Sequence, residues 1–331
     1  MSLASPFYNN WVDVKNLWSR ETDTYTHNVN LNLDFFNSLQ FDEHSLKKYR
    51  LLAVERVLKT HGDNIALAIS GGIDSQSMLQ CFVEAKADFK LYVCKFNNDL
   101  NMHDVEYARF VAKMYNVPLI EIEFDVIGFL IKHNYDIGLK YESFSPHFNV
   151  HFKFFDILFD LGHDSVCAGG SVIDCIDDDY GSNFDRSPFS FIKYSEISQR
   201  NCLGSFLSYS PELVWAVSLL SKPLNISFEN VFSSMELRDK LTMLKYENKV
   251  EGYLRAGLNV IRQKQKFTGF EKVKTYFADM SGNGWEFEQR FRIPLQDIFF
   301  VNKVKPYKFI FDSDVREHIL SIHNKNFIPN L

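Results

Sequence analysis

The chain reads as an α/β protein built on a doubly wound parallel sheet, with a mainly helical C-terminal region after it. Three observations predict this. Short apolar runs alternate with amphipathic stretches over residues 46–180, the first of these runs is apolar at every position, and strand signals fade after residue 181 while helical periodicity continues. With 331 residues, 46% of them hydrophobic, and 32 Phe and 15 Tyr to fill an interior, the chain can hold one large domain or two closely packed ones. The pattern divides it into an arm over 1–45, an α/β domain over 46–180 and a mainly helical region over 181–331. No repeat, low-complexity stretch or Gly/Pro-rich linker marks these boundaries.

The elements follow in order. Trp11, Trp18, Phe35 and Phe36 are spaced irregularly in the arm, which reads as a segment packed onto the body. A helix is predicted over 46–59, stopping near Gly62. Ile65–Ile69 is a buried strand, 75–85 a helix, and 91–96 a strand. Val105, Ala108, Val111, Ala112 and Tyr115 share one face of a helix over 104–115, and Leu119–Phe124 is a third strand. Ser145 offers an N-cap with Pro146 at the first helical position. Phe148, Phe152, Phe155 and Phe159 then fall at helical spacing, with Gly162 at the stop. Ser165–Ala168 is the fourth strand, and helical patterns return around Pro211–Leu220 and 234–264. A parallel sheet of this kind gathers its ligands at the carboxyl ends of its strands.

One motif carries chemistry. The first sheet strand runs directly into Ser70-Gly71-Gly72-Ile73-Asp74-Ser75, and a helix starts at once. Two glycines let the backbone fold tightly and turn its N–H groups toward a phosphate, while the helix start adds about half a positive charge. Ser70 and Ser75 can donate to the same oxygens. Asp74 makes sense in an anion cradle if it holds a magnesium ion that bridges the phosphates. The plain alternative is a polar strand–helix turn, since Ser, Gly and Asp are ordinary loop residues. A chance match in a chain of this length is expected roughly once in a few thousand sequences. A Walker loop would need G-x-x-x-x-G-K and then Ser or Thr, which is not what stands here.

Residues 70–75 resemble the pyrophosphate loop of the PP-loop ATP pyrophosphatases, which have the adenine nucleotide alpha-hydrolase-like (HUP-type) fold. The resemblance implies cleavage of ATP between its α and β phosphates, transfer of AMP to a substrate oxygen and release of pyrophosphate into the loop. It makes ATP and Mg2+ the expected cofactors. Branches that transfer sulfur or bind zinc generally need cysteine pairs or clusters. The five cysteines, Cys81, Cys94, Cys167, Cys175 and Cys202, contain no C-x-x-C and read as reduced thiols. Sulfate-nucleotide reductases resemble S-G-G-K-D-S, whereas position 73 is isoleucine.

Arg262-Gln263-Lys264-Gln265-Lys266-Phe267 resembles the R-Q-K-x-x-F segment of the synthetase half of asparagine synthase and its β-lactam synthetase relatives. There the lysine reaches into the site, where a cation offsets charge that builds on the phosphates. On residue types alone the segment also fits a solvated basic helix end. Cys167-Ala168-Gly169-Gly170-Ser171-Val172-Ile173-Asp174 occupies the place of the family's S-G-(D/E)-G-A-D-E turn. Its two acids fall on Gly170 and Ile173, which leaves Asp174, with Asp177, Asp178 and Asp179 as replacements or as an exposed acidic loop. The resemblance therefore implies Asp74, Lys264 and Asp174 as catalytic residues and Asp74 and Asp174 as metal ligands. Nucleotide contacts are implied at Ala68, Ser70, Gly71, Gly72, Asp74, Ser75, Cys94 and Gly169. Ile69 and Phe96 flank the adenine in the same reading.

The expected activity is an AMP-forming, amide-bond-forming ligase that adenylates a carboxylate or amide and passes it to an amine or ammonia. Only residues 1–69 precede the loop, position 2 is Ser and no cysteine stands before Cys81, so the glutaminase domain of asparagine synthase is not expected in this sequence. The nitrogen then comes from free ammonia, a separate ammonia-donating subunit or an amine substrate. A nucleotide-binding scaffold with an altered acceptor site is the alternative from another class, and a nucleic-acid-modifying PP-loop enzyme is a third. The net charge of −6 and pI near 5.9 argue against a polyanion partner. No apolar run approaches a bilayer span and no signal pattern opens the chain, which predicts a cytoplasmic protein. His147 and His151 sit four apart on one helix without further ligand types, and read as surface or capping residues rather than a metal pair.

Overall fold

The computed structural model describes residues 12–19, 24–31, 39–141, 143, 145–170, 187–220, 235–263, 269–278, 287, 290–291 and 308–311. In chain order these form β1 (Val12–Ser19), β2 (Thr24–Leu31), α1 (Glu43–His61), β3 (Ile65–Ile69), α2 (Ile73–Glu84), β4 (Lys90–Phe96), α3 (Met102–Met114) and β5 (Leu119–Phe124). Then come α4 (Val126–Lys132), α5 (Asn134–Lys140), α6 (Pro146–Asp160), β6 (Ser165–Ala168), α7 (Ser187–Ser198) and β7 (Asn201–Leu203). The last are α8 (Pro211–Leu220), α9 (Met235–Arg255), α10 (Glu271–Ala278) and β8 (Lys308–Phe311).

The main sheet has five parallel strands in the order β5-β4-β3-β6-β7. Its register pairs Ile65 with Ser165 on one side of β3, and Ala66 with Lys90 on the other. All five residues of β3 are buried, as an uninterrupted apolar run requires when both faces are covered. Alternate side chains sort to opposite layers. Ile65, Leu67 and Ile69 pack with Val54, Leu79 and Val105 from α1, α2 and α3, and with Trp215 and Tyr253 from α8 and α9. Ala66 and Ala68 face Phe152, Phe155 and Leu158 of α6 and Tyr194 of α7. Small residues at 66 and 68 leave room for that aromatic layer. The sheet is therefore doubly wound, as the sequence predicts.

The direction in which strands are added reverses at β3, since β4 lies on one side and β6 on the other. The crevice beyond the carboxyl ends of β3 and β6 is a topological switch point, the usual place for a ligand in such a sheet.

Four features differ from the sequence reading. The stretch read as an arm holds an antiparallel hairpin, with Val12 opposite Leu31 and Ser19 opposite Thr24, and β8 adds to it in parallel beside β2. Strand β7 lies in the region expected to be mainly helical, yet it completes the main sheet beside β6. Helix α1 starts earlier than expected because Asp42 caps it, its carboxylate accepting from Ser45 N at 3.0 Å. Ser145, the expected cap of α6, makes no side-chain capping bond. Among the described residues no helix is long and apolar enough to cross a membrane.

Candidate active site

The turn after β3 is shaped by its neighbours. Gly71 has φ +77°, and a Cβ there would come within 2.4 Å of the Asp104 carbonyl oxygen and 2.9 Å of Ala108 N. Only glycine permits this left-handed backbone pressed against the first turns of α3. Gly72 precedes α2 in an extended conformation, so the first N–H groups of α2 have no carbonyl behind them and open toward the crevice. Ser75 Oγ donates to Gly72 O at 2.8 Å, which folds the loop onto its own helix. Gly169 closes the cradle from β6, because a Cβ there would lie 2.4 Å from Ser75 N.

Two glutamines of α2 tie this loop to the distant segment 257–263. Gln76 Nε2 donates to Gly71 O at 2.8 Å, and its Oε1 accepts from Ile261 N at 2.7 Å. One turn on, Gln80 accepts from Asn259 N at 2.7 Å and donates to Gly257 O at 3.0 Å. Gln263, within the R-Q-K stretch, is buried and donates to the same Gly71 carbonyl at 3.4 Å. Arg262 instead pairs with Glu247 at the surface. Lys264 lies outside the described residues.

Asp74 stands in the first turn of α2 with two partners from α9. Tyr253 donates its phenol to Oδ1 at 2.5 Å, and Lys249 Nζ lies 3.1 Å from the carboxylate. Burial, reinforced by the Asp74 charge, holds the Tyr253 phenol well above its ordinary value, so it remains a neutral donor.

Above the strand ends lies a cavity of about 420 Å³. Ala68, Ser70, Asp74, Ser75, Cys94 and Gly169 all line it, which brings six of the residues expected to touch nucleotide or metal into one space. Gly71 and Gly72 form the turn behind them. The facing wall is aromatic, with Phe148, His151 and Phe155 from α6 and Phe191 from α7. Asp174, Asp177, Asp178 and Asp179 lie outside the described residues. Ile69 and Phe96 also line the cavity.

The sequence reading missed Asp104, Lys249, Tyr253 and the bridging Gln76 and Gln80. Lys249 and Tyr253 left one trace, an i, i+4 spacing on a helix, which any solvated helix face also shows. His147 and His151 do not converge: His147 packs on Phe270 at 4.1 Å between ring centroids, while His151 stacks on Phe155 and Phe191. Among the described residues no group of three His, Cys, Asp or Glu side chains could hold a metal ion. Cys81, Cys94, Cys167 and Cys202 are unpaired, and burial pushes their thiols up, which makes them poor nucleophiles.

No protein-family model matches the sequence, and no curated protein does. Among solved structures, the chain is similar to NMN synthetase from Francisella tularensis, with 11% identity and a TM-score of 0.32 over 69% of this chain and 100% of that one. It is also similar to the U34-tRNA thiolase NcsA from Methanococcus maripaludis with its 4Fe–4S cluster, at 11% identity and a TM-score of 0.34, covering 81% and 84% of the two chains.

Proposed function

We propose that this cavity binds ATP with magnesium and that the protein is an AMP-forming ligase of the PP-loop type. A substrate carboxylate or amide oxygen attacks the α-phosphorus, and pyrophosphate leaves into the loop of residues 70–75. An amine or ammonia then displaces AMP to form an amide. The observation that supports this reading best is the Ser70–Gly71–Gly72 turn. It is bent by a left-handed glycine and pinned by Gln76, and it opens the N-terminus of α2 onto a cavity at the switch point of a parallel sheet. Backbone N–H groups fixed in place before the substrate arrives stabilise separating phosphate charge without reorganising, usually the largest catalytic contribution.

The residues present fit magnesium. One carboxylate is enough when phosphate and water oxygens fill the rest of an octahedral shell, and Asp74 offers one on the cavity wall with its orientation fixed by Tyr253. When bound, the ion would neutralise charge on the phosphate oxygens. Lys249 holds that position electrostatically beside Asp74 and would have to yield part of it. Lys264 is proposed as the cation at the α-phosphate and Asp174 as a second acidic contributor, following the resemblance of their segments. The substrates in this reading are a small carboxylate and an amine, with a separate ammonia-donating subunit as one source of nitrogen. The acidic balance of the chain speaks against nucleic acid.

The test is pyrophosphate and AMP formation from MgATP across a panel of small carboxylates, with hydroxylamine present to trap activated acyl groups as hydroxamates. Release of pyrophosphate that depends on one carboxylate supports the ligase. Tight MgATP binding with no pyrophosphate across the panel overturns it in favour of a nucleotide-binding scaffold.

A further inference from the structure

The cavity wall holds a second carboxylate that the reading above does not use. Asp104 lies in the first turn of α3 and is 8% exposed. Its backbone carbonyl presses on Gly71, and its Oδ2 would sit 2.6 Å from a Cβ on Gly269, so the side chain is wedged between the phosphate loop and the 269–270 turn. Asp104 lines the cavity together with Gly269 and Phe270. A titratable group buried in the wall of a cleft is placed to act on what binds there.

The groups around it explain its protonation. Burial first, and the negative charge of Glu271 second, push the Asp104 carboxyl up to about 7. His103 on the same helix places Nε2 3.6 Å from Asp104 Oδ1 and 3.9 Å from Glu271 Oε2. Burial lowers the pKa of that imidazole, and Lys272 lowers it further, while Glu271 and Glu106 act in the opposite direction. The imidazole therefore supplies little positive charge to hold Asp104 ionised. The loop residues Gly71 and Gly72 and the turn residues Gly269 and Phe270 bring no charge to it.

We infer that Asp104 is the base that receives the proton of the attacking amine in the second half-reaction. The inference rests on the ligase reading. The neutral amine nitrogen forms the C–N bond and the C–O bond to AMP breaks, its electron pair leaving on the AMP phosphate oxygen. One amine proton passes to an Asp104 carboxylate oxygen. A base poised near the working pH is the efficient choice, because it is largely free to accept a proton yet basic enough to take it.

The test separates the two half-reactions. With the carboxylate that the panel identifies, Asp104→Asn should keep MgATP-dependent pyrophosphate exchange within about threefold. Amide formation from ammonium chloride should fall by about a hundredfold or more, the usual contribution of a general base. Transfer to hydroxylamine, a weaker base whose adduct is acidic enough to lose its proton to water, should survive in the variant. At constant free ammonia, the wild-type transfer rate should rise through about pH 7 and level off, and that step should vanish in the variant. Loss of pyrophosphate exchange in Asp104→Asn, or unchanged ammonia transfer, overturns the assignment.

If the wild type releases no pyrophosphate at all, the ligase reading fails by itself. The protonated-carboxyl infrared band that disappears in Asp104→Asn still reports on this group. Titration of that band near neutrality supports a proton-exchanging role, and titration in the ordinary carboxylate range overturns it.

Discussion

The phenol of Tyr253 on α9 donates to the Asp74 carboxylate on α2 at 2.5 Å, and so joins α9 to the first turn after the Ser70–Gly72 loop. The phenol is buried, while the carboxylate it holds is partly open to the cavity. Tyr253→Phe should leave the fold intact and free Asp74 to swing toward Lys249 alone. MgATP-dependent pyrophosphate release is expected to fall about ten- to a hundredfold, in line with about 1.5–3 kcal/mol for a hydrogen bond to a charged group. Asp74→Asn should abolish release while the thermal midpoint holds. Unchanged release in Asp74→Asn would remove that residue from the site.

Gly71 and Gly169 are held by contacts with backbone, which cannot step aside. Gly71→Ala meets a left-handed penalty of about 1–2 kcal/mol and a further overpacking cost of about 1–3 kcal/mol against Asp104 O and Ala108 N. Gly169→Ala keeps an ordinary backbone but drives Ser75 outward. Both should weaken ATP binding measured by calorimetry, while only Gly71→Ala combines strain with crowding in the urea midpoint. Equal midpoints for Gly71→Ala and wild type would contradict the loop geometry.

Arg56 on α1 and Glu212 on α8 form a buried two-pronged ion pair at 2.7 and 2.6 Å, and Arg56 also donates to Tyr209 O at 3.2 Å. Glu212→Ala strands a guanidinium in the interior and should cost about 3–5 kcal/mol. Arg56→Met with Glu212→Leu together should recover most of that loss. Chemical denaturation of the three variants tests this, and a mild effect of Glu212→Ala would show that water reaches Arg56.

His61 ends α1 against Asn201 and the Tyr209 ring, and burial lowers its pKa from 6.5. The native state therefore prefers the neutral ring. The stability it contributes is complete above about pH 6.5 and is lost as pH falls toward its lowered native value. His61→Gln keeps an amide donor for Asn201 and has nothing to titrate. The fall in urea midpoint between about pH 7.5 and 5.5 should be smaller in the variant. An identical fall would assign the acid sensitivity to other groups.

Much of the site was legible because it is local. Ile65–Ile69 and residues 70–75 declare strand, turn and helix start within one short stretch, and Gly169 follows its own strand in the same way. Residues that reach the loop from far along the chain gave no such signal. Lys249 and Tyr253 become partners of Asp74 only through the packing of α9, and Asp104 reads in sequence as an ordinary acid at a helix start. Strand β7 escaped notice because Asn201–Leu203 is too short to show a period, and its neighbour β6 fixes it through a long-range register. The hairpin of β1 and β2 was missed for another reason. Tyr25, His27, Val29 and Leu31 alternate with polar residues as a strand should, but in β1 the adjacent Leu17 and Trp18 break that period.

The pairing of Ile65 with Ser165 has a consequence for biosynthesis. As the polypeptide leaves the ribosome, β3 can dock with β4 early, but its other edge stays an open, wholly apolar template until residue 168 has emerged. During that interval the half-built sheet is a sticky intermediate. A chaperone that shields that edge should raise the yield of native protein, and slowed translation of residues 70–168 should lower it.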